Sequence, residues 1–169
     1  MSALLYLTAA DFDVEKENSA LYMKNRIRGF SLILFYSTTC VHCKTLFPIF
    51  QRLPGSVNGC QFGMVNVSTE RKCISMSKDT VAEIKYVPYI VMYVDGRPVM
   101  KYSGPYDINE IVRFIVEVSK RMKTQSFQTK AHGSNTKAIP EYSLGKPIKG
   151  NDDVCYLTNS TAYADPSKN

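Results

Sequence analysis

Two thiols three positions apart, in Cys40-Val41-His42-Cys43, constrain this chain more than any other feature, because they can share one disulfide without moving the backbone. Before them runs Phe30-Ser31-Leu32-Ile33-Leu34-Phe35-Tyr36, an almost continuous apolar segment of the kind that forms a strand buried on both faces. After them, Lys44 to Leu53 spaces its apolar residues as a helix does, with Pro48 expected to kink it and Pro54-Gly55 to end it. The pair therefore falls at a strand-to-helix turn, with Cys40 near the helix N-terminus. Free backbone N–H groups and the positive end of the helix dipole favour a thiolate there. Redox chemistry is the leading reading.

The 169 residues allow one ordinary domain plus an appendage, and 44% hydrophobic with 21% charged residues describes a globular core. No apolar run reaches the roughly 18–20 residues of a membrane span, so no membrane span is expected. The segment Met1 to Thr8 has no basic start and too short an apolar core for a signal peptide, which points to a cytoplasmic protein. A formal charge of +6 is dispersed along the chain without a basic stripe interleaved with aromatics, so nucleic acid is not an expected partner. Five cysteines cannot all pair within the chain. Cys60 and Cys73 read as buried inert thiols. Cys155 lies in a polar tail, where a free thiol or a bond to a partner is the plainer reading. Intramolecular reach to Cys40 is the sharper one, making Cys155 a self-substrate, a resolving thiol or a lock.

Along the chain, Leu4 to Thr8 reads as a strand and Glu15 to Arg28 as a helix capped by Thr8 or Asp11. Residues 62–67 form a strand, Thr69 to Lys85 a polar helical segment, and residues 86–94 a strand that opens on Pro88. Asp95-Gly96 marks a hairpin turn into Val99 to Ser103, and Asp107 caps a helix to about Met122. Beyond Lys123, apolar periodicity vanishes and Gly, Pro, Ser, Asn, Thr and Lys dominate. The division is thus a domain over 1–123 and an extension over 124–169. The extension can strap onto the domain through Ile139, Tyr142, Leu144, Tyr156 and Leu157.

This order of elements around the cysteine pair resembles the α/β thioredoxin fold, and within it a catalytic domain of the protein disulfide isomerase family. Four stretches carry the resemblance: Leu7-Thr8 with Asp11-Phe12-Asp13; Leu34-Phe35-Tyr36-Ser37 with Cys40-x-His42-Cys43-Lys44; Val65 to Glu70; and Tyr86-Val87-Pro88-Tyr89 with Asp95 to Val99 and Tyr102-Ser103-Gly104. The tail, through Glu141 to Pro147 and Asp152 to Leu157, is similar to tails of thioredoxin-like proteins from large DNA viruses. The resemblance implies a central mixed sheet flanked by helices, with an irregular C-terminal extension. It also implies a cis peptide before Pro88, with Val87 as the position that pairs with an extended substrate.

Cys40, N-terminal and nearest the helix end, is the expected attacking thiol, and Cys43, one turn inward, the resolving one. A protonated His42 between them stabilises the Cys40 thiolate, so the pair leans towards oxidase or isomerase chemistry. A zinc site would need a second pair of ligands; none is evident, and no metal or cofactor is expected. Two departures from the family stand out. Leu34 occupies the place of its buried carboxylate, and Met64 the place of the Lys that pairs with it in disulfide isomerases. Losing both partners leaves a dry apolar contact rather than an unpaired buried charge. Thr38-Thr39 also replaces the family's aromatic platform before the first cysteine.

The expected function is thiol–disulfide exchange on cysteine-containing protein substrates, with a thiol oxidase or reductase as redox partner. The alternative is a structural or interaction protein that keeps the fold with attenuated redox activity. Its partners would be capsid or virion proteins and its location the virion.

Overall fold

The apolar run of residues 30–36 becomes the spine of the molecule. The computed structural model describes residues 3–124, 138–142 and 154–157. In chain order these form β1 (Leu4–Leu7), a single 3-10 turn at Ala9–Asp11, β2 (Phe12–Glu17), β3 (Ala20–Asn25), β4 (Phe30–Tyr36) and α1 (Val41–Gln51). Next come β5 (Cys60–Asn66), α2 (Arg71–Ser77), β6 (Tyr86–Val87), β7 (Tyr89–Val94), β8 (Arg97–Tyr102) and α3 (Ile108–Thr124). Two short tail strands follow, β9 (Glu141–Tyr142) and β10 (Cys155–Tyr156).

The main sheet has the order β1-β5-β4-β7-β8-β9. Strand β4 runs parallel to β5, with Leu34 opposite Met64, and antiparallel to β7, with Leu34 opposite Ile90. Side chains of β4 alternate between two cores, as the pleat requires. Leu32 and Leu34 join Leu46 and Phe50 of α1 and Ile111, Phe114, Ile115 and Val118 of α3. Ile33 and Phe35 join Phe12, Met23, Cys73, Val87 and Val91 on the opposite side, together with Cys40, Cys43 and Cys155. Each such fully buried side chain contributes roughly 1.5–3 kcal/mol by leaving water. This is the thioredoxin-type mixed sheet flanked by helices that the resemblance implied.

Two local expectations hold, the Asp107 cap and the Asp95-Gly96 turn. Asp107 Oδ1 accepts hydrogen bonds from the N–H groups of Asn109 and Glu110 at 2.9 and 3.2 Å, capping α3. Asp95 and Gly96 adopt φ of 48° and 84°, the left-handed pair a tight hairpin turn needs. Helix α1 continues through Pro48. Among the described residues, no helix is long and apolar enough to cross a membrane.

Two expectations are corrected. The helix over Glu15 to Arg28 is instead the β2–β3 hairpin, closed by Asn18 and Ser19 with φ of 50° and 67°. Period two explains it. Phe12, Val14 and Lys16 share one face with Leu21, Met23 and Asn25, whereas Asp13, Glu15 and Glu17 share the other with Ala20, Tyr22 and Lys24. On that polar face Lys24 pairs with Glu15 at 2.7 Å and with Glu17, Arg26 pairs with Asp13 at 3.1 Å, and Arg97 of β8 reaches Glu17 at 3.1 Å. The polar helix over 69–85 shrinks to α2, because Asp79 at φ 64° turns the chain and Ser77 and Thr80 divert their hydroxyls to local backbone carbonyls.

Asn25 ties the hairpin to the sheet. Its N–H donates to the Gly96 carbonyl at 2.9 Å, its amide donates to Ser31 Oγ at 3.3 Å, and its Oδ1 accepts from the Ile27 N–H at 2.9 Å. A Cβ on Gly96 would stand 2.1 Å from the Asn25 carbonyl oxygen. Two glycine exchanges should therefore act in opposite directions. Ser19→Gly relieves a left-handed serine and should raise the melting temperature by about 2–4 °C, or about 1 kcal/mol. Gly96→Ala should lower stability by about 2 kcal/mol or more. Thermal unfolding of the two variants would check both signs.

Candidate active site

The turn between β4 and α1 is built from small polar side chains. The Ser37 and Ser68 hydroxyls meet at 2.6 Å, and the Thr39 N–H donates to Ser37 Oγ at 3.3 Å. Cys40 caps α1 with extended φ and ψ of −88° and 121°, and its carbonyl accepts from the Lys44 N–H at 3.3 Å. Its sulfur thus sits at the helix N-terminus, as the sequence pattern required. Val41 points outward, His42 is half-buried and Cys43 is fully buried. Burial pushes the Cys43 thiol up to about 11, against a weaker opposite pull from the Ser37 N–H, whose nitrogen is 3.5 Å from the sulfur.

Cys40 is not a free thiol. It is bonded to Cys155, with Cα atoms 6.1 Å apart, while Cys43 remains free. This overturns the plainer reading of Cys155 as a free thiol or a bond to a partner. Strand β10 lies antiparallel to β6 with Cys155 opposite Val87 and Tyr156 opposite Tyr86. The Leu157 N–H donates to the Lys85 carbonyl at 2.7 Å, extending the pairing by one residue. The Val87–Pro88 peptide is cis, and the Val87 carbonyl oxygen lies 3.7 Å from Cys40 Sγ. The structure therefore brings Cys40, Cys43, Val87, Pro88 and Cys155 into one place.

Further parts of the tail are anchored nearby. The Ile139 N–H donates to the Val81 carbonyl at 2.8 Å, and the Pro140 carbonyl accepts from the Lys101 N–H at 3.1 Å. β9 then adds to the sheet parallel to β8. Ile139 and Leu157 pack against the core that holds the cysteine pair. Of the other expected strapping residues, Tyr156 of β10 pairs with Tyr86 of β6 and Tyr142 falls in β9, whereas Leu144 lies outside the described residues.

Leu34 and Met64 stand opposite each other, 0% and 3% exposed, in the core beneath α1 and α3. This contact is dry and apolar. Cys60 and Cys73 are buried, and burial pushes both thiols up to about 12, where they hold their protons at neutral pH. Cys60 lies away from the cysteine pair, opening β5 opposite Phe30 at the far end of β4, whereas Cys73 shares the buried core that holds Cys40 and Cys43.

Sequence reasoning did not single out Tyr86. Its ring meets Tyr89 edge-on at 5.4 Å and Tyr156 at 6.1 Å, and Lys101 Nζ lies 5.8 Å from its centroid. The available signal was the aromatic cluster Tyr86 and Tyr89 beside Pro88, together with a Tyr directly after the tail cysteine.

Comparison with known proteins agrees with this fold. The thioredoxin family model matches residues 8–117. The uncharacterized protein 196R of Invertebrate iridescent virus 6 is 36% identical, with 96% of this chain and 95% of that protein covered. Protein disulfide-isomerase 2-3 of Arabidopsis thaliana is 25% identical over 94% of this chain but only 34% of its own length. Among solved structures, human ERp44 form II superposes with a TM-score of 0.54 at 15% identity, over 70% of this chain and 31% of that one. A cysteine pair at a strand-to-helix turn, a facing cis-proline and these matches lead to one conclusion: the chain belongs to the thioredoxin family.

Proposed function

We infer that the protein catalyses thiol–disulfide exchange on protein cysteines, leaning towards oxidation and isomerisation. One observation carries this reading: an extended, cysteine-bearing strand is bonded to Cys40 while pairing with the residue before Pro88. That is the pose of a substrate caught midway through exchange.

The chemistry follows from that pose. A thiolate at Cys40 attacks a substrate disulfide, or a substrate thiolate attacks the oxidised pair, and either gives a mixed disulfide at Cys40. Val87 holds the substrate backbone in register. In the second case another substrate thiolate attacks the bonded substrate sulfur and Cys40 leaves as thiolate, so the substrate is oxidised and the pair reduced. In the first, Cys43, as thiolate, attacks Cys40 Sγ, and the substrate sulfur leaves with the bonding electrons and takes up a proton. The Cys40–Cys43 disulfide that results can pass its oxidising equivalents to another dithiol. Applied to the tail, this step exchanges Cys40–Cys155 for Cys40–Cys43 and needs no external oxidant. Turnover as an oxidase needs a thiol oxidase to restore the pair, and turnover as a reductase a thiol reductant. A protonated His42 would favour the Cys40 thiolate and hence the oxidising direction.

We place this reaction in the cytoplasm, with the virion as the alternative. Similarity to the iridescent-virus protein supports a viral setting for either. The burial of Cys40 beneath the tail favours a second reading, a fold retained for binding capsid or virion proteins.

Refolding of scrambled ribonuclease distinguishes the two. Cys40→Ser should abolish the protein's contribution, and Cys43→Ser should accumulate mixed disulfides at Cys40. Rates for Cys40→Ser equal to the parent would leave only the binding reading.

The high position of the Cys43 thiol sets a pH dependence. Only its thiolate attacks, so release of Cys155 should accelerate about tenfold per pH unit from about pH 7 to about pH 10, then level near about 11. Acid quenching, alkylation and mass spectrometry of Cys155 would measure it. A flat profile would mean that another group at the site takes the Cys43 proton.

Leu34 and Met64 provide no such group. The double variant Leu34→Glu/Met64→Lys should shorten the lifetime of a mixed disulfide at Cys40 by about tenfold or more at neutral pH. Equal lifetimes would show that the apolar contact does not limit exchange.

A further inference from the structure

Residues 154–157 do more than cover Cys40, because they carry neighbouring side chains into defined places. Resting on the exchange reading above, we propose that Tyr86 forms a selective position for an aromatic side chain directly C-terminal to the reacting cysteine. Substrates of this protein are then extended Cys-aromatic-aliphatic segments, and Cys155-Tyr156-Leu157 is their resident competitor.

The antiparallel register fixes which residue meets which. With Cys155 opposite Val87, the next residue, Tyr156, must stand opposite Tyr86. Directly opposed residues share a face of the ribbon, so the two rings meet, at 6.1 Å and 70°. Tyr86 is itself held from other sides, by the Tyr89 ring at 5.4 Å and 82° and by the Lys101 ammonium 5.8 Å from its centroid. An aromatic held in this way offers a preset edge or face to an incoming ring. Tyr156 keeps 38% of its surface exposed, so the position takes one side of a ring and leaves room for Phe or Trp. One residue further on, Leu157 returns to the face of Cys155 and packs against the core around the cysteine pair. Its N–H bonds to Lys85 at 2.7 Å, so the backbone pairing that aligns these side chains continues past the cysteine.

Thr38-Thr39 gives the approach to Cys40 no aromatic surface, and Tyr86 supplies one from the facing strand. Recognition is thereby moved from the turn carrying the nucleophile to the strand that pairs with the substrate. A substrate engages only after the tail has left, so it must match the aromatic and aliphatic contacts that hold Tyr156 and Leu157.

The test uses the full chain with Cys155→Ala, fully reduced. Its probes are six-residue peptides, Ala-Val-Cys-Tyr-Leu-Ala and Ala-Val-Cys-Ser-Leu-Ala, each carrying a fluorescent thiol as a mixed disulfide on its cysteine. The Cys40 thiolate attacks the peptide sulfur, expels the fluorescent thiol and forms the Cys40–peptide bond, which Cys43 then resolves. The second-order rate of fluorophore release is read. N-acetylcysteine carrying the same fluorescent thiol reports the reactivity of Cys40 without the groove. The Tyr peptide should react about fivefold faster than the Ser peptide. A Phe peptide should match it. Adding Tyr86→Ala should reduce the ratio of the Tyr-peptide to the Ser-peptide rate below about twofold, and Tyr86→Phe should restore it. Equal rates for the Tyr and Ser peptides, with the N-acetylcysteine probe still reacting, would overturn the aromatic position and leave the exchange reading standing. No reaction with any probe would overturn both. The Tyr–Ser comparison in the Cys155→Ala chain decides the matter even if Tyr86→Ala fails to fold.

Discussion

The molecule is organised around one strand, β4, whose seven residues pair with β5 on one edge, the first six also with β7 on the other, and whose five central residues are buried. A strand buried on both sides cannot slip by one residue without exchanging its two cores, so its register is fixed by packing. That register in turn fixes where the strand ends, at Tyr36, and where the turn delivers Cys40 to the start of α1. The antiparallel pairing of Phe35 with Tyr89 sets Pro88 and Val87 beside the same end of β4. Cys40 and the strand that pairs with β10 are thus positioned by one set of buried apolar side chains.

The same strand explains what is unusual about the site. Leu34 and Met64 complete the apolar core under α1 and α3, where a lone carboxylate would have been a buried charge without a partner. The core gains continuity, and those two positions offer the cysteine pair neither a carboxylate nor an ammonium. Cys43 is left with a thiol pushed up by burial, against the weaker pull of the Ser37 N–H. The two cysteines therefore sit in unlike surroundings. Cys40 has the helix end, and Cys43 has apolar surroundings.

How far the fold could be read from the residues depended on whether the signal was local. The β4 run, the Asp95-Gly96 turn and the Asp107 cap are spelled out within a few residues and were legible. The β2–β3 hairpin was not, because Leu21, Tyr22 and Ile27 can be placed on a helical face as readily as on strands. The deciding fact was the match of Glu15 and Glu17 to Lys24 across the ribbon. Helix α2 was overextended for a similar reason, since the polar stretch after Ser77 carries helix-compatible residues whose hydroxyls turn back onto the chain. At the site, Cys40, Cys43 and the cis bond at Pro88 follow from motif and resemblance. The Cys155 bond joins positions 115 residues apart, and neither spacing nor composition selects it over a free tail thiol. Tyr86 acquires meaning only once β10 lies beside it.

The separation of Cys40 from Cys155 also orders events in time. During synthesis the chain emerges from its N-terminal end, and a domain folds once its own residues are available. Every strand of the β1–β8 framework, both cysteines of the pair and Pro88 precede residue 103, and α3 is complete by residue 124. The pair can therefore assemble and meet other thiols while its own covering strand has yet to be made. Residues 154–157 thus close over a pair whose own framework comes before them in the chain.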